Sequence, residues 1–146
     1  MDGTITMTEV FHHRAYIEVF RDLGIDYVPF VEHIARFAGT GSKNIFTAIF
    51  NEQKKKISAE EIGSCIQKKR NLYTKIVQSE EIPLVAGIKE FLARADVVHL
   101  KRIIATGNGD LNAVRFILTR AGLLEYFPEI ISVVEVAHAK PSPDVF

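Results

Sequence analysis

Three separate segments of this sequence carry side chains that could act together on an anionic substrate. Asp2 is followed by Gly3 and Thr4, Thr106 follows a short apolar run, and Lys140 opens the segment Lys-Pro-Ser-Pro-Asp. A carboxylate can move a proton, and a hydroxyl beside exposed amides at the end of a strand can bind a phosphate oxygen. An ammonium can offset negative charge that gathers at the same place. These side chains could therefore act at an anionic group such as a phosphate.

Each of these residues also has a simpler interpretation. Asp2 could merely cap a turn, and Thr4 could be a β-branched residue that follows the turn. Thr106 could be a helix N-cap or a turn residue, and Lys140 could be a solvated lysine. The order of the segments along the chain, and the elements that position them, decide between these interpretations.

The segment from residue 9 to residue 79 has the pattern of consecutive helices. Apolar residues recur at helical spacing, Thr8 is a candidate N-cap, and Ser58 with Glu61 forms a capping-box pattern. The pattern predicts helices at about residues 9–23, 27–37, 44–51 and 59–79. It predicts no strand in this part of the chain.

The last third of the chain has a different pattern. We predict a helix over residues 85–95, a buried strand over 101–105 that Thr106 follows, a helix over 111–120 capped by Asp110, and a second strand over 130–134. Alternation of helices with continuous apolar strands predicts βαβ units and a parallel sheet. An α/β domain is therefore interrupted, soon after its first loop, by about 70 helical residues.

The ordered set of segments resembles the haloacid dehalogenase (HAD) superfamily of phosphoryl-transfer enzymes, whose first motif is D-x-D-G-T or D-x-D-G-V. The stretch His12-His13-Arg14-Ala15-Tyr16 is similar to the H-x-R-A-[WY] segment of the β-phosphoglucomutase and phosphoglycolate-phosphatase-like branch. The resemblance implies a Rossmann-like parallel-sheet core with an inserted α-helical cap. It places the core at residues 1–7 and 83–146 and the cap at residues 8–82.

The resemblance implies specific roles for the matching residues. Asp2 would be the general acid and base, its backbone carbonyl would bind Mg²⁺, and Lys140 would offset the charge of two carboxylates and a phosphate. The remaining residues expected to contact phosphate are Gly3, Thr4, Thr106, Gly107 and Asn108. The implied substrate is a small phosphorylated metabolite.

The predicted cap supplies the candidate substrate contacts. His12 aligns with a histidine near the active-site hinge of the family, and Ser42 with Lys43 stands where related mutases carry serine and arginine. The loop Gly39-Thr40-Gly41 has one more glycine than that pattern, so a preference for sugar phosphates does not follow from it. A metal shared by His12 and His13 is not expected, because adjacent helical positions diverge by about 100°.

The nucleophile of the family is the first aspartate of D-x-D. The x is Met1 here, so the resemblance implies a nucleophile one position before Met1, and an acidic fourth motif beyond Phe146. We expect a phosphatase that works through an aspartyl-phosphate in the complete protein. A sugar-phosphate mutase of the β-phosphoglucomutase type, and a catalytically silent fragment that binds a phosphorylated ligand or a partner, are the alternatives.

Composition narrows the expected setting of the protein. Lys and Arg number 18, as do Asp and Glu, so no net charge favours nucleic acid or an anionic membrane. Cys65 is the single cysteine, and no apolar run reaches the length of a membrane span. We expect a cytoplasmic monomer that binds neither nucleic acid nor membrane.

Overall fold

The computed structural model describes residues 1–138 and 142–146. Its helices are α1 (Glu9–Asp22), α2 (Phe30–Phe37), α3 (Ser42–Glu52), α4 (Ala59–Ser79), α5 (Ile88–Val97) and α6 (Leu111–Arg120), and its strands are β1 (Ile103–Thr106) and β2 (Glu129–Ser132). Single 3₁₀ turns occupy Leu124–Tyr126, Val133–Glu135 and Pro143–Val145. None of the helices in the described part of the chain is long and apolar enough to cross a bilayer.

The chain divides into two compact units. Residues 1–8 and 81–146 form the first, which we call the α/β unit, and residues 9–80 form the second, the helical unit. The chain therefore passes between the units twice, at Thr8–Glu9 and at Glu80–Glu81.

The α/β unit contains a parallel strand pair. β1 pairs with β2 in the register Ile103 with Glu129 through Thr106 with Ser132, and α6 connects them. Asp110 caps α6 by accepting a hydrogen bond from the Ala113 amide at 3.0 Å. The predicted α/β class, with a helix between parallel strands, is confirmed.

The two ends of the α/β unit that lead to the helical unit pair with each other. The Met7 amide donates to the Pro83 carbonyl at 2.7 Å, and the Val85 amide donates to the Ile5 carbonyl at 3.0 Å. Because Val85 takes part in this ribbon and Gly87 adopts φ +78°, α5 begins at Ile88, three residues later than predicted.

The helical unit is built around aromatic side chains. α1 packs against α4 and α2, and α3 packs against α4. Its buried core consists of Tyr16, Val19, Phe20, Ile25, Phe37, Ile45, Phe46, Ile49, Phe50 and Cys65. The ring of Phe20 lies 4.8 Å from that of Tyr27 and 5.0 Å from that of Phe46, centroid to centroid. Such contacts add to the stabilisation that burial of apolar area provides.

Local sequence accounts for most helix boundaries in this unit. The capping box at the start of α4 is confirmed, since the Glu61 amide donates to Ser58 Oγ and the Ser58 amide donates to the Glu61 carboxylate. α2 begins at Phe30 rather than Tyr27, because Pro29 adopts ψ 157° and serves as the N-cap. β2 ends at Ser132 rather than at Val134, because the Ser132 hydroxyl accepts a hydrogen bond from the Val134 amide and the chain turns there.

Candidate functional site

The first six residues of the α/β unit form a tight loop around the predicted acid/base residue. The Met1 carbonyl accepts hydrogen bonds from the amides of Thr4, Ile5 and Thr6, at 3.2, 2.9 and 3.3 Å. The Gly3 amide donates to the Thr6 carbonyl at 2.7 Å, with Gly3 at φ +69°. A positive φ strains any residue with a Cβ, so the glycine after Asp2 allows this turn.

Two buried hydroxyls hold the Asp2 carboxylate. Thr8 donates to Asp2 Oδ1, Thr6 donates to the same oxygen at 3.4 Å, and the two hydroxyls lie 3.0 Å apart. Thr6 and Thr8 are both fully buried, whereas Asp2 is exposed. The carboxylate is thus oriented from its buried side and keeps an open side, an arrangement that suits proton transfer to a bound ligand.

The Asp2 backbone carbonyl was predicted to bind Mg²⁺. Within residues 1–138 and 142–146, no hydrogen bond to this oxygen is present, although the neighbouring Met1 carbonyl accepts three. The same residues contain no cluster of three His, Cys, Asp or Glu side chains that could hold a metal alone. Mg²⁺ commonly takes one or two protein oxygens and completes its shell with water and phosphate, so one unpaired carbonyl fits as part of such a site.

Thr106 ends β1 and is buried, with 5% of its surface exposed. Its hydroxyl accepts a hydrogen bond from the Asn108 amide at 3.1 Å, and Ser132 on β2 donates to the Asn108 carbonyl at 2.7 Å. The Asn108 side chain in turn accepts from the Asp110 amide at 2.9 Å.

The Asn108 amide was expected to be exposed, but it donates to Thr106; Asn108 as a phosphate contact stays a prediction. A hydroxyl that accepts one hydrogen bond keeps its own proton to donate. Thr106 and the exposed residue Gly107 are further candidate phosphate contacts of this turn.

Lys140 lies outside the described residues. Close to it in sequence, Asp144 accepts hydrogen bonds from the His138 amide at 3.0 Å and from Ser142 Oγ, and its Oδ2 lies 2.9 Å from His138 Nδ1. Hydrogen bonds from Ser142 and His138 keep the pKa of Asp144 below its usual value. The convergence of Asp2, Thr106 and Lys140 in one pocket stays a prediction.

In the helical unit, the predicted residue His12 contacts a lysine that the sequence did not single out. Lys69 Nζ lies 2.6 Å from His12 Nδ1, and Lys69 is only 5% exposed. An ammonium can only donate, so Nδ1 is the acceptor and the proton of a neutral His12 is on Nε2. The His12 ring stacks on Tyr73 at 3.9 Å, and the ammonium also lies 5.3 Å from the centre of the Tyr73 ring.

Ser42 and Lys43 stand in the first turn of α3. Ser42 Oγ lies 2.7 Å from the hydroxyl of Tyr16, and Lys43 is exposed. The ring of Tyr16 lies 4.7 Å from Lys69 Nζ. Tyr16 therefore contacts both Ser42 and Lys69, and through Lys69 it is linked to His12.

A second buried polar group lies at the start of α1. Glu9 Oε1 lies 2.9 Å from Nε2 of the fully buried His33, whose Nδ1 lies 2.7 Å from the Tyr27 hydroxyl. Burial raises the pKa of Glu9, but the hydrogen bond with His33 and the nearby charges of His12, His33 and Lys69 outweigh burial and lower it overall. These contacts fix α1 against α2.

Sequence reasoning missed Thr6, Thr8 as an Asp2 partner, and Lys69. The alternation Thr4-Ile5-Thr6-Met7-Thr8 was the available signal for the first two, since alternate residues share one side of an extended chain. Lys69 falls between Ile66 and Tyr73 at spacings of three and four, which places it on the apolar face of α4.

An open depression of about 510 Å³ also lies in the α/β unit. Residues 81–90 line it, together with Arg120 and Ala121. The predicted site residues in the described part of the chain are not among them. It therefore gives no support to the phosphate site.

Comparisons with known proteins agree on one family. The family model of the haloacid dehalogenase-like hydrolases matches residues 1–146. Fructose-1-phosphate phosphatase YqaB of Escherichia coli strain K12 is 28% identical over 148 residues, covering 100% of this chain and 73% of that protein. Protein CbbY of Cereibacter sphaeroides is 29% identical over 151 residues, covering 100% of this chain and 65% of that protein.

Solved structures share the fold. A CbbY structure from Rhodobacter sphaeroides in complex with phosphate superposes with a TM-score of 0.75 at 30% identity, covering 99% of this chain and 66% of that one. A β-phosphoglucomutase from Clostridium difficile superposes with a TM-score of 0.78 at 23% identity, covering 99% and 64%. The chain thus spans about two thirds of the length of these relatives, and the predicted Rossmann-like α/β fold with a helical cap is confirmed.

Proposed function

The chain belongs to the haloacid dehalogenase-like hydrolase family, and from this we propose that the protein containing it is a magnesium-dependent phosphatase of small phosphorylated metabolites. In the complete protein the reaction proceeds through an aspartyl-phosphate on the first aspartate of the D-x-D motif. We assign residues 1–7 and 83–146 to the core and residues 8–82 to the cap of this enzyme.

The arrangement of Asp2 is the observation that carries the proposal. Its carboxylate is fixed by the hydroxyls of Thr6 and Thr8 on one side and is open on the other. A general acid must be held within hydrogen-bond reach of the leaving oxygen, and orientation by two buried donors supplies that restraint. Asp2 protonates the leaving oxygen and then removes a proton from the attacking water.

The other residues bind the phosphate and balance its charge. Gly3 and the exposed Thr4 follow Asp2, and because the Gly3 amide donates to the Thr6 carbonyl, Thr4 is the contact we propose there. Thr106 ends β1 and Gly107 follows it at the carboxyl edge of the sheet, where open α/β folds bind ligands. Lys140 offsets the charge of the carboxylates and the phosphate. The Asp2 carbonyl would hold Mg²⁺, which when bound supplies further neutralisation of the phosphate oxygens.

The helical unit provides substrate selection. The Nδ1 atom of His12 accepts from Lys69, so a neutral His12 carries its proton on Nε2, and Ser42 and Lys43 add a hydroxyl and an ammonium. Hydrogen-bond donors of this kind suit hydroxyl or anionic groups remote from the phosphate. The phosphatase of fructose 1-phosphate among the relatives makes sugar phosphates the first class to test.

The test is release of inorganic phosphate by the full-length protein. A panel of fructose 1-phosphate, glucose 1-phosphate, phosphoglycolate and p-nitrophenyl phosphate is assayed with Mg²⁺ and with EDTA. The proposal expects Mg²⁺-dependent release from at least one physiological ester. Conversion of glucose 1-phosphate to glucose 6-phosphate without release of phosphate would instead establish the mutase. If neither reaction occurred, the catalytically silent binding protein would be the remaining alternative. The cytoplasmic location and the monomeric state remain proposals of the same kind.

A further inference from the structure

Tyr16 stands at the meeting point of two groups of candidate substrate contacts in the helical unit. It lies on α1 with 3% of its surface exposed. Its hydroxyl is 2.7 Å from Ser42 Oγ, and its ring centre is 4.7 Å from the ammonium of Lys69. One side chain thus contacts both the start of α3 and the lysine that holds His12.

Within the segment that Tyr16 contacts, Asn44 Nδ2 donates to the Thr40 carbonyl at 2.9 Å, whereas Ser42 is held from outside the segment by Tyr16. Gly39 and Gly41 have φ of +78° and +82°, and Gly41, the N-cap of α3, provides no side-chain cap. Thr40 donates to the Phe37 carbonyl, which fixes the beginning of the loop to α2. Ser42 does not cap the helix, and its hydroxyl is directed to Tyr16 instead.

The hydroxyl of Tyr16 can keep its hydrogen bond with Ser42 throughout the physiological pH range. Burial raises the pKa of Tyr16 to about 12, although the hydrogen bond with Ser42 acts in the opposite direction. The phenol therefore stays neutral at physiological pH and keeps both its donor and its acceptor capacity.

We infer that Tyr16 is a positioning residue that holds residues 39–43, which are the loop before α3 and the first two residues of that helix, in register with the Lys69–His12 pair. It thereby sets the preference of the enzyme for phosphate esters that carry further polar groups over simple aryl phosphates. The inference rests on the proposed function. We call the Tyr16–Ser42 hydrogen bond the anchor. Without it, residues 39–43 occupy the substrate-binding arrangement only part of the time, and the apparent affinity for the substrate falls by that fraction.

The test variant is Tyr16→Phe, which keeps the buried ring and removes the hydroxyl. Loss of one net hydrogen bond corresponds to an increase of about 2- to 10-fold in KM for fructose 1-phosphate. The kcat for this substrate, and both constants for p-nitrophenyl phosphate, should stay within about twofold because the phosphate contacts lie in the other unit. An unchanged KM, or an equal rise for both substrates, would overturn the inference.

Tyr27→Phe is the matched control. It also removes a hydroxyl from a tyrosine of the helical unit, but the partner of that hydroxyl is His33 Nδ1, at 2.7 Å, rather than Ser42. We expect it to lower thermal stability without changing the KM ratio of the two substrates. A shift of that ratio as large as the shift with Tyr16→Phe would contradict a specific role for Tyr16.

Ser42→Ala completes a double-mutant cycle. If the Tyr16–Ser42 contact carries the effect, the double variant is no worse than either single one. Fully additive effects would overturn the inference.

Amide hydrogen exchange separates this inference from the proposed function. Tyr16→Phe should speed exchange at residues 39–44, and Tyr27→Phe should not. If the protein released no phosphate but exchange rose as expected, the proposed function would fail and the anchor would stand. Unchanged exchange would reject the anchor whatever the activity.

Discussion

Replacing Lys69 by methionine should separate stability from function. Methionine has a similar length and removes the ammonium, which is 5% exposed and lies 2.6 Å from His12 Nδ1. We expect the free energy of unfolding to change little, whereas kcat/KM for the preferred phosphate ester falls. For comparison, truncation to alanine of an apolar side chain that is buried to the same extent typically lowers the free energy of unfolding by about 2–5 kcal/mol.

The small stability effect follows from terms that nearly cancel. Desolvating an ammonium costs several kcal/mol. Against this, a hydrogen bond that involves a charged donor contributes roughly 1.5–3 kcal/mol, and each of the contacts with the faces of Tyr16 and Tyr73 contributes roughly 0.5–2 kcal/mol. The net change for Lys69→Met is therefore about zero, within roughly 1 kcal/mol.

The loss of activity arises through His12. Without a donor at Nδ1, the ring can place its proton on either nitrogen, and Nε2 is no longer held as a donor. If the substrate loses one charge-assisted hydrogen bond from His12, kcat/KM should decrease by roughly 10-fold or more. Urea unfolding and steady-state kinetics measure the two effects on the same preparation.

Lys68→Met is the control for this experiment, since Lys68 precedes Lys69 on α4 but is exposed and pairs with Asp22 at 2.5 Å. It should leave kcat/KM unchanged. A loss of stability of about 3 kcal/mol or more in Lys69→Met, with kcat/KM retained, would refute the account because Lys69 would then be purely structural.

Two further predictions concern the helical unit. The hydrogen bonds from Arg14 hold the pKa of Glu80 below its usual value, so their stabilisation is complete above that usual value and is lost as pH falls through the lowered one. The stability gap between the wild type and Glu80→Gln should therefore close on acidification, and a gap that widens in acid urea titrations would contradict this. Ser58→Ala removes the N-cap of α4 and should cost about 1 kcal/mol in urea unfolding, whereas an unchanged midpoint would show that the capping box contributes nothing.

Local signals predicted much of the fold. The capping box at Ser58 and the cap at Asp110 fixed the starts of α4 and α6, because both depend on side chains within three residues of the backbone they bind. Thr106 was recognised because a strand that ends in a polar residue before glycine is readable from the chain alone. The predicted start of α2 is three residues too early, because a proline in the first turn of a helix and a proline at its N-cap have the same fixed φ and differ only in ψ.

Contacts between distant residues were not predictable in this way. The spacing of Lys69 from Ile66 and Tyr73 places it on the apolar face of α4, but no local feature identifies His12, 57 positions away, as its partner. The same holds for the carbonyl of Asn108, which accepts a hydrogen bond from Ser132, 24 positions away. Such pairings depend on how helices and strands pack, which a single sequence does not reveal.

The carboxylate of Asp2 is the centre of the proposed chemistry, and Asp2→Asn in the full-length protein tests it most directly. Asparagine keeps the size of the side chain and its contacts with Thr6 and Thr8 but cannot transfer a proton. We expect kcat for Mg²⁺-dependent phosphate release to fall by roughly 10²- to 10⁴-fold, the usual contribution of a general acid, with inhibition by inorganic phosphate retained. A variant that keeps wild-type kcat would contradict the assignment of Asp2 as the acid and base.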